Sequence, residues 1–509
     1  MTRKWLEKEE IQWPLVLFSG VSLLAYAGLA SVDWRFGTLR AAYTPQSIGW
    51  YGLAFLSYLG LLVCAEKRSI SMRWMWGGAI LFRIILLFTT PTLSDDVYRY
   101  LWDGYVANEG VSPYAHAINS PELDYLDIPE RSLANNAWMA SPYLPAAQVV
   151  FFGVTAVFPL QPFYLQAAMV IFELAAAWVL ARLLALAMLP SQRLIIYLWN
   201  PLVIVEVAHG AHIDAWMLLL ALMAVYFGMK AAVENNQQPT ANSQQSTGNS
   251  ERSAVNRQGE IGGTVEKLGA SWVLSPLFLG LATLTKILPL LLLPVLFWFW
   301  NWRQRLFYGL LLVALLVPFG LNAGWGLSGE LDGTGLFGAL RIYGSAWNFN
   351  SGLFHWLEVG LGKQGFHDPS VSAKAIIGFL FLLLNGIVWL LARTRRTPRA
   401  ALRLMSVPLM GYVLLTPTLH PWYFLILLAF LPFLTPATGE SKWLWLLVVP
   451  WIYLSGTLVF SYLTYLDPLD FGELEWVRQI EWVPTIFLLF IAVLLYFIPG
   501  VWQRFNENR

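Results

Sequence analysis

Residues 375–391 read AIIGFLFLLLNGIVWLL, 17 positions with no ionisable side chain and Asn385 as the one amide among them. Such a run approaches the roughly 20 apolar residues that cross about 30 Å of hydrocarbon. Working outward from it, Trp13 to Ala30, Met217 to Met229 with its flanks, and Trp443 to Phe460 have the same character. Lipid offers no partner to a backbone N–H or C=O, so long unbroken apolar runs read as helices, which satisfy their own hydrogen bonds. The 509-residue chain is 57% hydrophobic and 12% charged, whereas soluble domains carry about 25% charged residues. Its mean hydropathy is +0.56. The sequence therefore predicts an all-α polytopic integral membrane protein of about 13 transmembrane helices, and it excludes a water-soluble globular domain.

The formal net charge of +1 creates no field that would gather nucleic acid or an acidic partner. The single cysteine, Cys64, excludes an intrachain disulfide and any cysteine-built metal cluster. Ala25-Tyr26-Ala27 has the spacing of a signal-peptidase site, but Glu7, Glu9 and Glu10 remove the basic stretch that a signal requires, so the first run reads as a retained span. With Arg3, Lys4 and Lys8 on the cytoplasmic side, the positive-inside rule also places Lys67, Arg68, Arg73, Arg303, Arg305, Arg393, Arg395, Arg396, Arg399, Arg504 and Arg509 there. The segment Pro91 to Pro142 is then extracytoplasmic. Between Tyr143 and Arg193 two apolar runs must supply an odd number of crossings, and Tyr143 to Phe158 is expected to lie in the interface or to re-enter. Residues 232–268, rich in Asn, Gln, Ser, Thr and Gly, read as a disordered cytoplasmic linker. It separates an N-terminal module, 1–231 with the outside loop 91–142, from the C-terminal helices of 269–509.

The outside loop contains Ser94-Asp95-Asp96-Val97-Tyr98-Arg99-Tyr100-Leu101-Trp102-Asp103-Gly104. At about 3.6 residues per turn, Val97, Tyr98, Leu101, Trp102 and Tyr105 form an apolar face and Asp96, Arg99 and Asp103 the opposite one. This predicts an amphipathic juxtamembrane helix on the membrane surface, with two carboxylates at its start. The same residues also fit a helix cap at Ser94 or Asp95 and a local pair made by Arg99. A second cluster holds Trp199-Asn200-Pro201, Glu206 and His209-Gly210-Ala211-His212-Ile213-Asp214. The histidine spacing suits part of a metal site, and it suits a self-satisfied turn as well. Lys286, flanked by apolar runs, needs an anion or a water-filled cavity. Arg341, the run Trp347-Asn348-Phe349-Asn350-Ser351 and His420-Pro421-Trp422-Tyr423 complete the polar set on the predicted outside. Trp422 and Tyr423 fit an interfacial aromatic belt equally well.

The sequence Ser94 to Gly104, Trp199-Asn-Pro-Leu202, His212-Ile-Asp-Ala215, Leu284-Thr-Lys286 and His420-Pro-Trp-Tyr423, in that order, resembles the GT-C glycosyltransferases. The likeness runs from about residue 75 to 435 and is strongest to bacterial polyprenol-phosphate-mannose-dependent mannosyltransferases. The resemblance implies a membrane enzyme that moves a hexose, read as mannose, from a polyprenyl-phosphate donor to a glycan or glycolipid acceptor. The reaction would run on the extracytoplasmic face of a bacterial plasma membrane, with inversion. Carried over, the acidic motif that acts at the acceptor is Asp95-Asp96, the expected catalytic pair. Arg99, His209, His212, Asp214, Lys286, Arg341, Asn348, His420, Trp422 and Tyr423 are the expected donor-phosphate and substrate-binding residues. No metal ligand set and no required cofactor follow, although the acidic pair has the chemistry to hold a divalent cation. The chain reads Tyr143-Leu144-Pro145 where related members often have Tyr-Pro-Pro, and His212-Ile213-Asp214 where they often have His-Asn-Asp, which leaves donor sugar and acceptor open. The rival reading is a transporter or lipid flippase, whose ionisable groups sit near mid-span among internal repeats. Here Glu173 and Glu206 fall within apolar runs, while the densest polar groups lie in the predicted outside loops.

Overall fold

The computed structural model describes residues 13–36, 40–67, 69–237, 270–327, 332–437, 440–466 and 472–497. The terminal charges Arg3, Lys4, Lys8, Arg504 and Arg509, with Arg68 and residues 238–268 of the expected linker, lie outside the described residues. Three helices open the chain, α1 (Trp13–Phe36), α2 (Arg40–Lys67) and α3 (Met72–Leu87). They are followed by α4 (Asp96–Asn108), α5 (Pro145–Val157), α6 (Pro162–Leu186) and α7 (Asp214–Gln237). The second half holds α8 (Leu274–Thr283), α9 (Trp302–Ala323), α10 (Gly338–Ala346), α11 (Pro369–Ala392) and α12 (Pro398–Leu415). It ends with α13 (Leu425–Leu434), the mixed helical span α14 (Leu444–Leu466) and α15 (Glu475–Phe497). Among the described residues there is no strand, only an isolated bridge between Phe349 and Thr418.

Eight of these helices, α1, α2, α6, α7, α9, α11, α14 and α15, are long and apolar enough to cross a membrane, and shorter apolar helices accompany them. The chain is all-α and polytopic, as its composition requires. In its most apolar window α7 is 67% buried, against 11% for α9 and 17% for α11. Thus α7 is the central post of the bundle, and α9 and α11 turn apolar side chains outward, as lipid-facing helices do. The two halves share one core: the Tyr51 hydroxyl donates to the Ser455 carbonyl at 2.5 Å and the Asn200 amide to Ser455 Oγ at 3.0 Å. Helix α7 runs to Gln237, beyond the expected boundary at 231, because helix formers such as Lys230, Ala231 and Ala232 extend its last turns.

Helix α5 has 13 residues, about 20 Å at 1.5 Å per residue and short of the hydrocarbon thickness. It packs along α4, where a Cβ on Gly104 would meet the Phe151 carbonyl at 2.4 Å, so only glycine allows this approach. Asn108 seals the seam by donating to Thr155 Oγ1 at 2.9 Å. Helix α6 then starts at the α4 end of the bundle, with Phe163 stacked on Phe88 and Gln166 donating to the Thr89 carbonyl at 3.0 Å. Helix α5 is therefore a short element beside α4, in the stretch expected to be interfacial or re-entrant.

Helix α4 forms where the amphipathic pattern predicts it, but its polar face is not open to water. Arg99 and Asp103 are each 1% exposed. Arg99 donates to Asp103 at 3.0 Å and to the carbonyls of Asn135, Asn136 and Met139, while Ser141 and Gln148 donate to Asp103. A loop thus covers the face that periodicity alone assigns to solvent, and its backbone satisfies the buried guanidinium.

Candidate functional site

Between α6 and α7 the chain is broken by design of its residues. Pro201 sits at the first position of a one-turn helix, where its missing N–H is no loss, and Asn200 caps that turn by accepting from the Leu202 N–H at 2.9 Å. The next five residues, Val205–His209, form a π-turn, and Ala211 follows with φ +57°. This irregular stretch turns Glu206 and His212 into the bundle and delivers Asp214 at the start of α7. On the other side, α8 ends at Thr283 and leaves Lys286 in a turn, while Pro421 opens the segment before α13 directly after His420.

These pieces meet at one end of the bundle. Lys286 Nζ is 2.5 Å from Asp214 Oδ2 and 4.7 Å from the centre of the Tyr423 ring. Four rings stack in a row from both halves of the chain. Phe349 lies on His420 with centroids 4.6 Å apart, His420 on Trp422 at 4.6 Å, and Trp422 on His212 at 3.8 Å. The stack is held in register because Phe349 accepts from the Leu419 N–H at 2.8 Å and donates to the Pro417 carbonyl at 3.0 Å. Trp422 is 5% exposed, so it serves this stack and not an aromatic belt in contact with headgroups.

The acidic pair stands beside the stack. Asp95 occupies the N-cap position of α4, yet its side chain makes no capping bond, and Ser94 Oγ accepts the Asp96 N–H at 3.3 Å instead. One amide serves both carboxylates: Asn135 Nδ2 donates to Asp95 Oδ1 at 2.9 Å and to Asp96 Oδ1 at 2.7 Å. The other oxygen of Asp96 lies 3.7 Å from His212 Nδ1 and accepts from the Tyr100 hydroxyl at 3.5 Å. His212 Nε2 is 3.1 Å from Glu206 Oε2, and the Tyr462 hydroxyl spans both Glu206 oxygens at 2.9 and 2.8 Å. Burial, and next the Asp95 carboxylate, push the Asp96 carboxyl up to about 6, against the pull of Lys286 and Asn135.

Asp96 and Lys286 face one cavity of about 440 Å³. Its lining adds Tyr143, Tyr343 and Thr418, with Leu288, Leu291 and Phe381 on the apolar side. Ile287 and Leu290, on the same wall, are 50% and 38% exposed at the outer surface of the bundle, so the cavity is continuous with a lipid-facing flank.

The expected site residues divide into two sets. Asp95, Asp96, His212, Asp214, Lys286, His420, Trp422 and Tyr423 gather here. His209 points elsewhere: its ring contacts Thr89 Oγ1 at 2.8 Å, accepts from the Thr92 N–H at 3.1 Å and lies 3.5 Å from Asp33, in a separate buried cluster under α1. Arg99 holds the loop below α4, Arg341 donates to the Gly326 carbonyl at 3.1 Å, and Asn348 is exposed next to Phe349. The two histidines of the HxxH-like spacing thus belong to different clusters, and among the described residues no three His, Cys, Asp or Glu side chains form a metal-ligand set. Asn135, Tyr343 and Tyr462 carry no motif in the sequence, and Tyr143 enters there only through Tyr143-Leu144-Pro145. Only the Asn135-Asn136 pair carried a signal, a turn dipeptide whose second residue has φ +49°.

Fold and polar end together define an integral membrane protein of the GT-C glycosyltransferase class. Residues 23–302, more than half of the chain, match the family model described as alpha-(1->6)-mannopyranosyltransferase, N-terminal domain, and the chain belongs to this mannosyltransferase family. No curated protein and no solved structure shows a match to it. The matched stretch carries Asp95, Asp96, His212, Asp214 and Lys286, whereas His420 and Trp422 lie beyond it.

Proposed function

We propose that the chain transfers mannose from a polyprenyl-phosphate donor to a hydroxyl of a glycan or glycolipid acceptor, on the extracytoplasmic face of a bacterial plasma membrane and with inversion. The observation that carries this reading is a carboxylate and an ammonium on the wall of one cavity whose apolar side reaches the lipid-facing surface. A water-soluble hydroxyl and a lipid-linked phosphate need such a boundary to meet.

In this mechanism Asp96 is the general base. A carboxyl near 6 is ionised at neutral pH and still basic enough to take a proton as the acceptor oxygen bonds to the anomeric carbon, an effect of about 10²- to 10⁴-fold. The bond from that carbon to the phosphate oxygen breaks in the same step, and its electron pair leaves with polyprenyl phosphate. Lys286 neutralises the charge that develops there, held in place by Asp214 and by the Tyr423 ring. His212 is a positioning residue, set between Asp96 and Glu206 and braced by Trp422. A single displacement converts a β-linked donor into an α-linked product, the anomer in the family's description. The reading calls on no cofactor, since the leaving group carries one phosphate and a cation stands beside it.

The test is transfer of labelled mannose from polyprenyl-phosphate-mannose by membranes holding matched amounts of wild type, Asp95→Asn or Asp96→Asn. Loss in Asp96→Asn with activity retained in Asp95→Asn supports the assignment. Transfer that survives Asp96→Asn removes this carboxylate from the mechanism, and no transfer from mannose, glucose or arabinose donors overturns the reading as a whole.

A further inference from the structure

A second cavity, of about 480 Å³, lies at the opposite end of the bundle, where α11 turns into α12. Its rim is cationic. Arg395 and Arg399 border it directly, with Arg403 one turn further along α12. Glu440 pairs with Arg399 and Arg403, and the remaining donors of Arg403 go to the Phe433 and Thr435 carbonyls. Arg403 is thereby satisfied. Arg395 has no ion pair among the described residues, and the buried Nε of Arg399 has no hydrogen-bond partner among them. Arg395 is exposed and solvated, but a buried charged donor such as Arg399 Nε, left unmatched beside apolar surface, is costly unless an acceptor answers it.

The rest of the cavity is apolar. Ala400, Arg403, Leu404 and Val407 are spaced i, i+3, i+4 and i+7, so one face of α12 forms the floor, and Leu444 and Leu447 of α14 form the facing wall. From Arg399 to Val407 this floor runs about 12 Å along the helix axis. The cationic rim is thus at the bundle end and the apolar trough runs inward, parallel to the spans. A free anion satisfies the rim and leaves the trough wet, and a neutral lipid does the reverse. A phosphate ester with acyl chains satisfies both, and guanidinium groups match phosphate geometry through paired N–H donors. Basic pockets between spans have this role in recognising anionic headgroups.

We propose that this cavity is a binding site for the headgroup phosphate of an anionic phospholipid, with an acyl chain lying along Leu404, Val407, Leu444 and Leu447. The site is separate from the sugar-transfer cavity and does not depend on the transfer mechanism. Purified full-length wild type in detergent, titrated with phosphatidylglycerol or phosphatidylcholine and read by native mass spectrometry, should prefer the anionic lipid by tenfold or more. Arg395→Gln/Arg399→Gln should abolish that preference while its melting profile in phosphatidylcholine matches wild type. Leu404→Trp, which fills the trough and keeps the rim, should weaken phosphatidylglycerol binding as well. Equal binding of the two lipids by wild type, or a preference that persists in the double variant, overturns the proposal. So does displacement of phosphatidylglycerol by millimolar inorganic phosphate with Leu404→Trp behaving as wild type, which would identify a site for a free anion.

Discussion

Two buried ion pairs of this protein look alike in sequence and differ in every other respect. Arg83 of α3 and Glu173 of α6 are both 0% exposed, joined by two bonds of 2.6 and 2.9 Å, and the last guanidinium donors reach the Ala79 and Leu198 carbonyls. Lys286 and Asp214 share one contact of 2.5 Å, Lys286 keeps 15% of its side chain exposed at a cavity, and Asp214 Oδ1 has no hydrogen-bond partner among the described residues. The first pair is complete and locks two spans together. In the second, Asp214 is fully buried and only Lys286 reaches the wall of the cavity. A completed buried pair serves architecture, and an ammonium left on a cavity wall is a candidate for chemistry.

The largest effect expected is at the carboxylate next to the second pair. Asp96→Asn keeps size and shape but removes the proposed base, and kcat/KM for mannose transfer should fall about 10²- to 10⁴-fold with unchanged unfolding behaviour. Next, Arg83→Met leaves Glu173 buried without its partner and should lower the unfolding free energy by about 3–5 kcal/mol, as read by denaturant titration in mixed micelles. Restoring neutrality separates the two pairs. Arg83→Met/Glu173→Leu should regain both stability and transfer, whereas Lys286→Met/Asp214→Leu should regain stability and still lose transfer by about 10- to 100-fold, the worth of one charged contact to phosphate. Equal recovery of transfer in both double variants would erase the distinction.

The smallest effect is a matter of pH. In the proposed mechanism Asp96 is a base only when ionised, so transfer should rise with pH through about 6 and fall tenfold for each unit below it. Asn135 donates to both carboxylates and thereby favours their charged forms. Asn135→Ala should move the acid limb upward by about half a unit to one unit, leaving the alkaline plateau nearly in place. A limb that stays put, or moves down, would show that the amide does not tune the base.

That these polar motifs gather together was readable before the fold. The Asp95-Asp96 pair, Lys286, the His212-to-Asp214 turn and His420-Pro-Trp-Tyr423 all reach the same end of the bundle, because each sits where an apolar run stops and polar residues must leave the lipid. The roles inside that set were not readable. Asp95 and Asp96 are neighbours in sequence, but only Asp96 faces the cavity and the His212 ring. His209 and His212 are three residues apart, and the π-turn between α6 and α7 sends them to opposite clusters, a backbone irregularity that helical periodicity does not foresee.

The sequence by itself determined the membrane class, the all-α architecture, the position of α4 and the order of the polar motifs, because hydropathy and helix signals act over tens of neighbouring residues. The tertiary structure alone decided which groups answer one another. Tyr462 reaches Glu206 across 256 positions of chain, Asn135 reaches Asp96 across 39, and Lys286 reaches Asp214 across 72. It also turned the polar face of α4 inward, because the 135–141 loop supplies carbonyls and a hydroxyl that water would otherwise supply. Local pattern specifies where a polar side chain must sit relative to lipid, and only packing brings its partner within 3 Å.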